Sequence, residues 1–133
     1  FETDLAKGAK ATSSCSRGKG YRASAVNDGD PGTYWATRDK DTTGSVTIKF
    51  RAETEINRIL IQEYIRLGQR VREFSADAMT GGEWKRIVDG TTIGYKVIRK
   101  FPAVRATALR LNISRSKACP LISNIEIYKA PGN

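Results

Sequence analysis

Apolar and polar residues alternate in one short run after another, and a period of two restricts this chain to half-buried β-strands. In SVTIKF, Val46, Ile48 and Phe50 share a face. TIGYKV places Ile93, Tyr95 and Val97 together, ALRLNI does so with Leu109, Leu111 and Ile113, and SNIEIY sets Ile125 and Ile127 against Asn124 and Glu126. REFSADA puts Phe74 and Ala76 on one side. INRILIQ carries Ile59, Leu60 and Ile61 in succession, the pattern of a central, more fully buried strand. Turn formers separate these runs: DPG at 30–32, TGG at 80–82 and DGT at 89–91. Only RASAVND suits one or two helical turns. Short strands at this spacing predict an all-β, antiparallel sandwich or barrel. A length of 133 residues, with no linker or repeat, predicts a single domain over 1–133.

Composition narrows the chemistry. The chain has no histidine, which excludes Ser-His-Asp and Cys-His catalysis and His-ligated zinc. Two cysteines cannot complete a four-thiolate zinc site. No apolar run approaches the roughly 18 residues of a membrane helix. The start at FETDL reads as that of an excised domain or a processed product. The net charge of +9 is spread along the chain without a block of like charges, which fits a solvated surface or an acidic partner such as a polysaccharide, lipid or nucleic acid.

Several local strings invite a function and fail on context. GKGYRA has the spacing of a dinucleotide-binding loop but follows no buried strand and opens no βαβ unit, so it reads as a plain loop. The sequon at Asn112 closes a strand and carries no weight. Asp39 and Asp41 form a possible acid pair, yet basic neighbours explain them without catalysis. Trp35 and Trp84 are expected in the core rather than against a sugar ring.

Two stretches retain functional content. Around QEYIRLGQRVREF, Glu63, Tyr64, Arg66, Arg70 and Arg72 gather where a sandwich needs only a short turn. Guanidinium and carboxylate groups in such a loop can pair with vicinal hydroxyls or grip an anion; a solvated loop with internal ion pairs is the alternative. NDGDPGTYWAT crowds Asp28 and Asp30 between glycines. It lacks the spacing of an EF-hand, so it is either a calcium-holding loop of another kind or an Asx-type turn with its aspartates in water.

AVNDGDPGTYWAT, the SVTIKF strand, INRILIQE and the closing ISNIEIYKAP together resemble the discoidin, or coagulation-factor type C, superfamily, which includes family 32 carbohydrate-binding modules. IQEYIRLGQRVREFSADA, GGEWKRIVDGTTIGYK and SKACPLISNIEIYKAP are similar to the C-terminal discoidin-like domain of bacterial family 29 α-L-fucosidases. The resemblance implies an eight-stranded, galactose-binding-like jelly roll with no catalytic role of its own. It binds glycan (galactose- or fucose-containing, or acidic) beside a hydrolase domain in cis, in the periplasm or outside the cell, and takes no nucleic acid. It also implies structural calcium on the Ala25 carbonyl, the Asp28 carboxylate, the Asp30 carbonyl and Thr33. The last ligand, usually a glutamate, falls on Asn124 here, with Glu126 as a substitute on the same face.

Sugar sites in the superfamily use loops at one end of the sandwich, which points to Tyr21, Arg38, Glu63, Tyr64 and Arg70. In this fold the terminal strands are expected to be neighbours, which predicts a Cys15–Cys119 disulfide. Lipid-binding members carry apolar loop tips, whereas these loops read as polar, which argues against a membrane. A purely structural domain packed on its catalytic partner, and an adhesion or anionic-lipid-binding discoidin domain, are the alternatives.

Overall fold

The structure, a computed structural model, describes residues 3–131. Seven strands follow in order: β1 (Lys10–Ser13), β2 (Trp35–Ala36), β3 (Gly44–Glu63), β4 (Val71–Thr80), β5 (Glu83–Gly90), β6 (Val97–Ser116) and β7 (Leu121–Tyr128). All pairings are antiparallel, in the order β2-β7-β3-β6-β4-β5, with β1 on β3. One-turn 3-10 helices occupy Lys19–Tyr21, Ala23–Val26 and Ile65–Leu67, the second within the predicted helical turn.

Strands β3 and β6 each run for 20 residues and serve both layers of a sandwich. The first part of β3 pairs with β1 and the end of β6, while its second part pairs with β7 and the start of β6. The register slips between Lys49 and Thr54 and again between Ile56 and Arg58. The second slip falls opposite Phe101–Ala103, where Pro102 has no N–H to give a ladder. These irregularities let one strand bend from layer to layer. The jelly roll thus has seven long or shared strands among the described residues, where eight separate ones were expected.

The alternation read from the sequence sets the core. Val46, Ile48, Ile59, Ile61, Phe74, Ala76, Leu109, Leu111, Ile113, Ile125 and Ile127 are buried and belong to one cluster, so the inner faces of both layers meet. Each large aliphatic side chain buried there contributes about 1.5–3 kcal/mol. Leu60 is buried on the opposite face of β3, as a central strand requires.

Two expectations fail. TIGYKV is not a strand: Ile93 anchors a turn, Gly94 takes φ +67° and Tyr95 is 65% exposed. The left-handed backbone at Gly94 ends the alternation before β6 begins at Val97. Trp84, expected in the core, is only half-buried, on the outer face of β5. Trp35 is fully buried as expected, with its indole N–H donating to the Cys15 carbonyl at 2.9 Å.

Gly90 pairs with Phe74, and a Cβ there would stand 2.3 Å from Phe74 Cε1 and 2.4 Å from Cζ. Because that ring is locked in the core, Gly90→Ala is expected to cost about 1–3 kcal/mol. Chemical denaturation checks this, through a lower midpoint with an unchanged slope.

Candidate functional site

The end of β3, the loop it enters and the loops before β2 and β7 build one surface. Its centre is a tyrosine stack. The Tyr34 ring lies 4.4 Å from Tyr64 and 5.3 Å from Tyr21, centroid to centroid. All three pack on Ala36, Cys119 and Leu121. Burial first, then Tyr21 beside it, pushes the Tyr34 phenol above its ordinary pKa. The Tyr34 phenol therefore stays neutral and offers its hydroxyl as donor and acceptor.

Two arginines frame the stack. The Arg17 guanidinium lies 5.1 Å from the Tyr21 ring centroid and reaches Asp39 Oδ1 at 3.2 Å. Arg70 Nη1 donates to the Cys119 carbonyl at 2.9 Å and to its sulfur at 3.2 Å. Arg17 Nη2 donates to the same sulfur, so Cys119 ties both guanidinium groups to one place. Among the described residues, Arg70 Nε and Nη2 have no protein acceptor, and Arg17 Nε is buried without one.

Glu63 is buried at the end of β3 and turned inward. Its Oε1 accepts the backbone N–H groups of Arg70 (2.9 Å) and Val71 (3.0 Å), and its Oε2 accepts that of Gly94 (2.7 Å) and the Gln69 amide (3.4 Å). The carboxylate is thus committed to the protein backbone, and it fixes the 64–70 loop against the turn at Gly94. Arg38 is exposed on the adjoining loop that Asp39 anchors to Arg17. The structure therefore gathers Tyr21, Tyr64 and Arg70 directly, places Arg38 at the rim, and puts Glu63 underneath. Sequence reasoning missed Arg17 and did not choose Tyr34, although Arg17 directly precedes the GKGYRA loop and Tyr34 stands within NDGDPGTYWAT.

The expected disulfide is absent: Cys15 and Cys119 are free thiols. Its premise fails because β1 pairs with β3, whereas β7 lies between β2 and β3. The Cys15 sulfur faces Asp41 Oδ2 at 3.9 Å instead. The 64–70 loop is also less polar than its sequence suggests, with Ile65 and Leu67 42% and 55% exposed.

At NDGDPGT, Asp28 Oδ1 accepts the Asp30 N–H (2.9 Å), and Asp30 Oδ1 accepts that of Gly32 (2.8 Å), making two successive Asx turns. Thr33 Oγ1 lies 2.6 Å from Asp28 Oδ2 and 3.1 Å from the Asp30 carbonyl, so three oxygens converge. Ala25 sits in the preceding 3-10 turn. Across a cavity of about 360 Å³ lined by Asn27 and Asp30 stand Asn124 and Glu126 of β7. Asn124 Nδ2 donates to Glu126 Oε2 (2.6 Å) and to Gln62 Oε1 (2.8 Å), and the Tyr128 hydroxyl donates to Glu126. Burial chiefly raises the Asp4 carboxyl, against two backbone hydrogen bonds that lower it, and the Glu126 charge adds to the rise. Burial and the bond to Glu126 likewise raise the Tyr128 phenol. Among the described residues, no three Asp, Glu, His or Cys side chains cluster as a metal centre, so any cation there would rely on mixed carbonyl, hydroxyl and carboxylate oxygens.

The sandwich and its loop-end cluster define a discoidin-type β-domain. Residues 8–125 match the F5/8 type C domain, and the chain belongs to that family. It is 31% identical to alpha-L-fucosidase 1 of Arabidopsis thaliana across 96% of its own length, yet spans only 26% of that protein. A Ruminococcus gnavus GH29 fucosidase solved in complex with fucose superimposes with a TM-score of 0.90, at 32% identity, covering 98% of this chain and 27% of the other. Chitosan-binding module 1 of a Paenibacillus sp. IK-5 chitosanase/glucanase shares the fold at a TM-score of 0.87 and 20% identity, covering 96% of this chain and all of the module.

Proposed function

We propose that this domain is a non-catalytic carbohydrate-binding module of a glycoside hydrolase, an α-L-fucosidase, and that it holds glycan at the tyrosine–arginine cluster. The observation that carries this reading is the convergence of three stacked tyrosines with Arg17 and Arg70 on one loop surface. Ring faces and edges suit the C–H surface of a sugar, and the guanidinium donors suit its hydroxyls. Attachment at a second point raises the local concentration of substrate for a linked catalytic domain. The fucosidase relatives and the chitosan-binding module support the reading by likeness. Binding by the isolated domain in calorimetric titration tests it.

One observation favours a second reading. Exposed Ile65 and Leu67 suit packing against the rest of a longer polypeptide, with no sugar bound. A domain that ignores every glycan would support it.

Calcium at the NDGDPGT turn is part of the proposal. The donors fit: Asp28 Oδ2, Thr33 Oγ1 and the Asp30 carbonyl converge, with Asn124 and Glu126 facing the adjoining cavity. The Ala25 carbonyl completes the proposed set. A bound cation would stabilise the native state by mass action, and it would fix Tyr34, the residue after Thr33. Calcium is expected to raise the melting temperature of the wild type and to leave that of Asp28→Ala unchanged. Identical melting curves in calcium and in excess chelator would reduce the stretch to its Asx turns. An exported location accompanies the proposal, because glycans are met outside the cell.

A further inference from the structure

The outer face of the sheet carries a groove away from the loop cluster. Lys10, Lys49, Ala108, Met79 and Trp84 are successive cross-strand partners on β1, β3, β6, β4 and β5. Cross-strand partners share a face, so this row is graded from ammonium groups at one edge to an aromatic ring at the other. Ala108 is too small to fill its place, and a groove of about 370 Å³ opens over it. Thr12, Thr47 and Thr107 supply hydroxyls at its sides, and none of its lining residues is acidic.

The aromatic end is rigidly held. The Arg110 guanidinium lies 4.2 Å from the Trp84 ring centroid. Arg110 is itself fixed by Asp77 Oδ2 at 3.0 Å, a buried carboxylate that also takes Arg86 Nε at 2.7 Å and Asn112 Nδ2 at 2.9 Å. Burial raises the Asp77 pKa, but bonds from Arg86, Asn112 and Arg110 outweigh it and leave the group below the usual carboxylate value. This network also occupies the Asn112 amide of the sequon. A preorganised ring therefore faces solvent without the entropy cost of ordering it on binding.

We infer that this groove is a second binding site, for an anionic oligosaccharide whose sugar ring meets Trp84 and Met79 while its carboxylate or sulfate meets Lys10 and Lys49. From Lys49 to Trp84 is three strand spacings, about 14 Å, which accommodates a short oligosaccharide. Two lysines with no acidic residue in the described lining select negative charge, and the threonines take hydroxyls. The site shares no residue with the tyrosine–arginine cluster.

Tryptophan fluorescence reads the groove directly, since Trp35 is buried in the core and Trp84 lines it. The 133-residue domain is titrated with tetragalacturonate, with a sulfated galactan oligosaccharide and with neutral galactotetraose. A saturable change with either anionic sugar, and none with the neutral one, is expected; which anion responds identifies the acidic group. Lys49→Glu, an exposed change, is expected to weaken binding at least ~tenfold, and Trp84→Phe to abolish the signal. Arg70→Ala should leave this titration unaltered, which keeps it separate from the loop site. No response to both anionic sugars, an equal response to galactotetraose, or unchanged affinity in Lys49→Glu would overturn the assignment. So would a signal that follows protein concentration without sugar, which would give the face to a second copy of the chain.

Discussion

Glu63→Ala is expected to destabilise the domain by about 3–5 kcal/mol, the largest effect of any single change at the loop end. The carboxylate is buried and receives the N–H groups of Arg70, Val71 and Gly94 together with the Gln69 amide. Alanine would leave several of these donors unpaired away from water, at about 1–3 kcal/mol each for those that stay dry. Partial hydration of the exposed rim limits the sum. Glu63→Gln keeps the size but replaces one acceptor oxygen by a donor, so it too should destabilise, though less. Urea denaturation measures both variants. Hydrogen exchange should show faster exchange at the Arg70, Val71 and Gly94 amides, because the loop and the turn lose their common anchor. Wild-type stability in Glu63→Ala would mean that water replaces the carboxylate without loss.

Arg70→Ala is expected to weaken glycan binding at least ~tenfold, equivalent to about 1.4 kcal/mol, while the domain stays folded. The side chain is anchored by Nη1 on the carbonyl and sulfur of Cys119, part of the cluster on which the tyrosines pack. Charge-assisted bonds to hydroxyls contribute about 1.5–3 kcal/mol each. The loop backbone survives because Glu63 holds the Arg70 amide rather than its side chain. Arg70→Lys keeps the charge but not the planar fork, and should recover only part of the affinity. Calorimetric titration of the three proteins, with thermal melts as a folding control, distinguishes lost contacts from lost structure.

Where a residue's environment is set by its own strand, the sequence was readable. Val46, Ile48, Leu109, Leu111, Ile125 and Ile127 took their predicted faces because pleating alone decides them. The strand predicted at Ile93–Val97 failed because Gly94 and its partner Glu63, 31 residues apart, decide that backbone together. For the same reason Glu63 was picked as a sugar contact: a charged residue at a loop looks available until its distant donors are known. The register slip opposite Phe101–Ala103 was also hidden, since it depends on how Pro102 is accommodated by a bend within one long strand.

At the candidate site, the 63–72 loop stood out by its composition and brought Tyr64 and Arg70 with it, whereas Tyr21 came from the superfamily's use of loops at one end. Tyr34 and Arg17 were not chosen because stacking and a shared bond to Cys119 are products of topology, which brings residues 17, 34, 64, 70 and 119 together. The Cys15–Cys119 pairing failed at the same level: the edge on which β1 lies cannot be read from local pattern. Trp84 ended on an outer face because the register shift opposite Ala76 and Asp77 reverses the alternation of β5 between buried Val88 and Trp84, an irregularity its own sequence does not reveal.

Carbohydrate binding at the tyrosine–arginine cluster is tested most directly by calorimetric titration of the isolated domain with fucosylated and galactosylated oligosaccharides. The expected result is saturable binding to at least one of them, with a dissociation constant of about 0.1–1 mM, as suits an open site gripping one or two rings, weakened in Arg70→Ala. Heats that do not saturate with any of them up to ~10 mM, about tenfold above the top of that range, or an Arg70→Ala domain that binds as well as the wild type, would contradict it.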